Sequence, residues 1–121
     1  MEESAMISLE LPVPVSENRY RRVIGKAPLI RRAGRRYRET VRNLFLASGQ
    51  RPVTGSAAVT MEFYPPDRLR RDLDNLFKSL FDALVYAGAI RDDSLIVEIH
   101  ARKREVMKPA GMVHLLIREV R

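Results

Sequence analysis

Leu73, Leu76, Phe77, Leu80, Phe81, Leu84 and Ala87 recur at intervals of three and four, the strongest helical period in the sequence, and Gly88 follows as a natural stop. A helix with one apolar stripe needs a second apolar face to pack on, and four period-two runs offer one. Ile7 to Leu11 reads I-S-L-E-L and ends at P-V-P. Ala57, Val59, Met61 and Phe63 alternate with Ala58, Thr60, Glu62 and Tyr64 and stop at Pro65-Pro66. Leu95, Val97, Ile99 and Ala101 alternate with Ile96, Glu98, His100 and Arg102, and Met112 to Val120 forms a last strand after the K-P-A-G turn. A second helix is expected from about Ala33 to Ala47, where Tyr37, Val41, Leu44 and Phe45 fall at helical spacing, while Ser16 to Pro28 has no period and reads as a loop. The order β-α-β-α-β-β predicts an α+β fold in which a small mixed β-sheet packs against two main helices, within one domain spanning residues 1–121.

Lys and Arg number 22 against 15 Asp and Glu, giving +7 and an isoelectric point near 10.4, so the mean field attracts polyanions and nucleic acid is the first candidate partner. No apolar run reaches the roughly 18 residues of a membrane span. The start M-E-E-S-A-M is acidic and lacks the apolar core of a signal peptide, so a cytosolic protein is expected. Absence of Cys removes disulfides and thiolate metal sites, and two histidines, His100 and His114, make no zinc cluster. Any metal must therefore be held by carboxylates.

The stretch Arg70 to Lys78, R-R-D-L-D-N-L-F-K, sets two acids inside a run of arginines. Asp72 and Asp74 are two residues apart, about 200° on a helix but on one face of an extended segment. Acting together, they require the chain to stay extended until about Asp74. The alternatives, which a helix starting earlier would favour, are helix capping, an acid in the first turn favoured by the helix dipole, and an Asp74–Lys78 surface pair. A second pair, Asp92 and Asp93, lies before the third strand and reads either as a polar turn or as further ligands for Mg²⁺ or Mn²⁺. A helix from Asn75 to Ala87 spans roughly 20 Å. Asp93 therefore joins Asp72 within one chain only if Ala89 to Arg91 runs back along that helix; otherwise it comes from a partner subunit.

Positive charge concentrates between Arg19 and Arg42, where Glu39 is the single acid and Tyr20 and Tyr37 are candidate stacking groups. Arg68, Arg70 and Arg71 stand beside the carboxylates, and Arg102, Lys103, Arg104 and Lys108 extend the same charge. Binding to DNA should be steeply salt-dependent.

The combination of R-D-L-D-N-L-x-K, F-D-A-L and A-G-x-I-x-D-D with L-P-V-P-V-S-E-N-R-Y near the N-terminus resembles the RusA family of Holliday-junction resolvases, from about Ile7 to Glu119. The resemblance implies a small homodimeric, magnesium-dependent endonuclease, bacterial and in many cases phage- or prophage-encoded. It cuts four-way DNA junctions by paired nicks in recombination and repair. By matching position it places the catalytic and metal-binding carboxylates on Asp72, Asp74 and Asp93, in preference to Asp92, and the essential basic residue on Lys78. DNA contacts are expected at Arg68, Arg70 and Arg71, at Asn18, Arg19, Arg21 and Arg22, and at Arg35 and Arg36. Val13 and Val15 depart from the family pattern, which bears on substrate detail and not on metal binding. No small-molecule substrate and no membrane partner is expected. Two other readings are compatible with the same residues: a non-catalytic junction-binding accessory protein, and a metal-dependent nuclease for other branched nucleic acids.

Overall fold

The computed structural model describes residues 5–14 and 27–120, with the side chains of residues 27–31 left out. Its elements follow the predicted order: β1 (Met6–Leu11), α1 (Ala27–Ser48), β2 (Ala57–Tyr64), a 3₁₀ turn (Leu73–Leu76) leading into α2 (Phe77–Ala87), a second 3₁₀ turn (Asp93–Leu95), β3 (Ile96–Lys103) and β4 (Met112–Glu119). The four strands form one mixed sheet in the order β1-β4-β2-β3. β4 is antiparallel to both β1 and β2, whereas β3 runs parallel to β2, joined to it by the α2 crossover that parallel strands require.

One face of the sheet is the core. Ile7, Leu9 and Leu11 of β1, Val59, Met61 and Phe63 of β2, and Val113, Leu115 and Ile117 of β4 are buried with Tyr37, Val41 and Phe45 of α1 and Leu80, Ala83 and Leu84 of α2. Leu80 and Leu84 are fully buried, and each such side chain contributes about 2 kcal/mol. In β1, in β4 and from Val59 onward in β2 the alternation read from the sequence is that of core and solvent, whereas on β3, at the sheet edge, Val97 and Ile99 are exposed. Gly88 ends α2 with φ 82°, and its N–H bonds the carbonyls of Leu84 and Val85.

Three local expectations are corrected. α1 begins at Ala27, not Ala33. Pro28, placed at the end of a loop by its lack of periodicity, sits in the first helical turn, where its missing N–H has no bond to make. Leu95 belongs to the 3₁₀ turn, so β3 starts at Ile96, and a register shift between Ala57 and Ala58 sets which β3 residues face inward. Tyr37 is buried and its hydroxyl donates to the Pro12 carbonyl at 2.8 Å, so it anchors α1 to the end of β1 and is not exposed for stacking. Burial pushes that phenol well above its ordinary pKa.

The two sheet edges differ. On β1, the Gln50 side chain accepts from Ser8 N–H at 2.8 Å and donates to the Ser8 carbonyl at 2.9 Å, standing where a neighbouring strand would. Among the described residues no side chain covers β3 in this way. Val97 and Ile99 on that strand are 59% and 42% exposed.

Candidate active site

β2 ends where Pro65 and Pro66 can no longer supply ladder donors. The departing chain is clamped from behind: Arg104 N–H bonds Phe63 O at 2.7 Å and Met107 N–H bonds Pro65 O at 2.8 Å. Gly111, with φ 71°, lies against this corner, where an added Cβ would stand 2.5 Å from Tyr64 O. Asp67 then organises the loop. Its Oδ1 accepts Leu69 N–H at 3.0 Å, and both its oxygens meet the Arg71 guanidinium, Oδ2 with Nη2 at 3.2 Å. The Arg71 hydrogen bond, followed by that from Leu69, holds the Asp67 carboxyl below its ordinary pKa. The charged contact is therefore complete at neutral pH and is lost only as pH falls through that lowered value. Arg71 is forked on Asp67, while Arg68 and Arg70 are exposed and, among the described residues, without an ion-pair partner.

Asp72 is extended, with φ −97° and ψ 134°, and directly precedes the 3₁₀ turn. Its side chain makes no capping bond. Extended backbone ends here and not at Asp74, a correction to the expected shared extended face. Leu73 and Leu76 turn inward onto the core, and the turn closes through Asn75 N–H to Asp72 O and Phe77 N–H to Asp74 O. Asp74 is thus the second residue of a 3₁₀ turn. Asp74 does not pair with Lys78 either, because Lys78 Nζ lies 3.4 Å from Asp82 one turn further on. Asp72 and Asp74 are both exposed, and among the described residues neither has an ion pair or side-chain hydrogen bond. Neither a capping bond nor the Lys78 pair forms, but the early start of the turn puts Asp74 in its first turn, which favours the structural reading of that acid to this extent.

The second acidic pair divides differently. Asp92 caps the 3₁₀ turn, accepting from Ser94 N–H at 3.3 Å and from the Ser94 hydroxyl, and these bonds hold its carboxyl below the usual range. Asp93 is exposed, and among the described residues its side chain bonds nothing. The uncommitted acid is the one the resemblance selects.

Strand direction separates the two pairs. Lys103, at the C-terminal end of β3, donates its Nζ to the carbonyl of Arg71, which brings the Asp72 segment to that end of the β2–β3 pair. Asp93 immediately precedes the N-terminal end of β3, which begins opposite Ala57. Ala89 and Ile90 do not run back along α2; they are buried, and Ile90 bridges Val53 ahead of β2. A parallel strand of eight residues, roughly 25 Å long, lies between the two acidic segments within one chain. In keeping with this, no three His, Cys, Asp or Glu side chains among the described residues stand together as a metal-holding group.

Of the expected DNA contacts, Arg35 and Arg36 are exposed on α1, whereas Asn18, Arg19, Arg21 and Arg22, with Tyr20, lie outside the described residues. Arg104 is committed to Glu62 and also lies 5.4 Å from the Tyr64 ring centre. Tyr86, not singled out in the sequence, joins the helices: Arg38 and Arg42 stand 5.0 and 5.8 Å from its ring centre and its hydroxyl donates to Glu39. Lys103, expected to extend the charge of the arginines beside the carboxylates, reaches the Arg71 carbonyl directly ahead of Asp72.

The family described as endodeoxyribonuclease RusA matches residues 11–115. The chain belongs to the RusA family. A relative from Escherichia coli O139:H28 named crossover junction endodeoxyribonuclease RusA is 38% identical over 117 residues, covering 93% of this chain and 94% of its own length. Its namesake from Enterobacteria phage 82 is 38% identical over 115 residues, covering 93% of each chain. RusA relatives thus occur in both bacteria and a bacteriophage. No helix among the described residues is long and apolar enough to cross a membrane.

Proposed function

We propose that this chain is a divalent-metal-dependent endodeoxyribonuclease that resolves Holliday junctions by paired symmetric nicks, acting as a homodimer in DNA recombination and repair. The observation that carries the reading is the state of Asp72 and Asp74: exposed and uncommitted beside Arg68 and Arg70, in a chain of net charge +7. Carboxylates left free next to a phosphate-binding loop would repel DNA unless a cation joined them. Asp72, Asp74 and Asp93 are hard oxygen donors that suit Mg²⁺, with Mn²⁺ able to replace it. When bound, such an ion supplies Lewis acidity, activating water and offsetting charge on the phosphodiester.

The chain's own groups do the rest. Arg68 and Arg70 draw the backbone onto the loop, with Arg35, Arg36 and the basic segment of Asn18, Arg19, Arg21 and Arg22 as further contacts; Arg71 keeps the loop in shape through Asp67 and adds its charge to the phosphate field. Lys78, held only by a surface pair to Asp82, can turn to the scissile phosphate and offset charge that develops there.

The separation of Asp93 from Asp72 supports a site completed by a second subunit. The open β3 edge supports the way it forms. If two β3 strands pair antiparallel about a two-fold axis perpendicular to the sheet, the N-terminal end of each lies beside the C-terminal end of the other. Asp93 of one subunit then meets Asp72 and Asp74 of its partner, and two such sites arise, one for each strand to be cut. Blocking of the β1 edge by Gln50 leaves β3 as the edge available for this pairing.

A synthetic mobile four-way junction incubated with the chain tests the reading. Symmetric nicks in Mg²⁺ or Mn²⁺, abolished by EDTA with junction binding retained, are expected. Binding without cutting in any divalent metal would identify an accessory protein instead, and cutting confined to flaps or structured RNA would assign another branched substrate.

A further inference from the structure

Leu69 is 71% exposed, the most exposed large apolar side chain among the described residues. It lies three positions ahead of Asp72, between Arg68 and Arg70. Its presentation is imposed from both sides of the residue. The Leu69 N–H is taken by Asp67 Oδ1 at 3.0 Å, and its carbonyl accepts from Arg71 Nη1 at 3.4 Å, while the same Arg71 is forked on Asp67. Pro65 and Pro66 restrict the chain entering the loop. These contacts hold the Leu69 backbone in a conformation that leaves its side chain in solvent.

We propose that Leu69 is a wedge that enters the base stack at the branch point of the junction and holds the crossover in register with the Asp72 and Asp74 carboxylates. This deepens the proposed function and rests on it. Phosphates have no use for an isobutyl group, whereas bases do. Aliphatic side chains inserted at a base step hold it unstacked without reading its sequence. Arg68 and Arg70 on either side would engage the flanking phosphates, so the wedge sits where the backbone is already neutralised. A four-way junction offers the most favourable target, because stacking is already interrupted at its crossover. Leu69 is accordingly a positioning residue: it contacts DNA but no reacting atom.

The test compares the unmodified chain with Leu69→Ala and Leu69→Met on two junctions, one fully paired and one carrying unpaired bases at the crossover. A 2-aminopurine at the branch point reports unstacking in EDTA, where binding occurs without cutting. Leu69→Ala should cut the paired junction at least about tenfold more slowly and lose the fluorescence rise. It should keep its affinity within about twofold, since phosphate contacts dominate binding. Leu69→Met should retain the rate, and the pre-opened junction should restore Leu69→Ala to the unmodified rate. Equal slowing on both junctions, unaltered cutting of the paired one, or an unchanged fluorescence rise would overturn the wedge. Dissociation of Leu69→Ala into monomers would also overturn it, placing Leu69 in the subunit interface. If the unmodified chain cuts no junction, the functional reading fails, and the fluorescence comparison in EDTA still decides the wedge.

Discussion

Asp72→Asn is expected to lower junction cleavage by roughly a thousandfold, about 4 kcal/mol of transition-state stabilisation, with junction affinity within about twofold of the unmodified chain. The separation of the two effects follows from what Asp72 does not do. It caps no helix, pairs with no cation among the described residues and is exposed, so the amide should leave the fold unchanged. What the amide lacks is the negative oxygen a hard cation requires. Single-turnover cleavage measured beside binding in EDTA separates loss of the ion from loss of DNA. Asp92→Asn is the matched control. Asp92 spends its carboxylate on Ser94, so its replacement should loosen the turn and leave the cleavage rate close to that of the unmodified chain. Cleavage by Asp72→Asn at the normal rate would remove this residue from the site.

If the proposed dimer forms through β3, Ile99→Lys is expected to leave the chain monomeric and to reduce paired cleavage by a hundredfold or more. Ile99 is near the middle of β3 and 42% exposed, so an ammonium there can reach water and the monomer should keep its fold. Across a two-fold axis through the strand centre, however, each lysine would face its own copy. Like charges directly opposite on paired strands are destabilising, and edge lysines are a common barrier to strand pairing. Sedimentation velocity, circular dichroism and junction cleavage on the same preparation check the three parts. A dimeric, active Ile99→Lys protein would move the interface away from β3.

Much of this fold was legible because two periods do not overlap in their meaning. Alternation at Ile7, Leu9 and Leu11 and at Val59, Met61 and Phe63 predicts strands with one wet face, and the structure buries those residues. The three-and-four spacing from Leu73 to Ala87, closed by Gly88, predicts one long helical segment. It did not reveal that the segment opens with a 3₁₀ turn, because Leu73 and Leu76 face the core in either helix. Charge pairing was less legible. Arg71 and Asp67 are four residues apart, as are Asp74 and Lys78, and only the first pair forms; Lys78 takes Asp82, the acid on its C-terminal side.

For the candidate site, the motif supplies the residues that the proposal uses, and their arrangement was not readable from it. The separation of Asp93 from Asp72 depends on β3 running parallel to β2 next to it in the sheet order β1-β4-β2-β3. That direction follows from the helical crossover between β2 and β3, which the element order contains; what the local sequence does not encode is that β4 takes the other side of β2 and leaves β3 at the edge. The same topology that parts the carboxylates within one chain exposes the edge through which a partner can rejoin them.

That composite site is the central claim, and co-expression of Asp72→Asn and Asp93→Asn chains tests it most directly. Each variant alone should be inactive. In a random mixture about half the dimers pair one chain of each kind, and each mixed dimer joins the intact Asp72 and Asp74 of one subunit to the intact Asp93 of the other. Nicking should return to about a quarter of the unmodified number of sites, as cuts in one strand and not as paired resolution. Nicking that stays at the level of the separate variants would contradict the account and confine the carboxylates of each site to one chain.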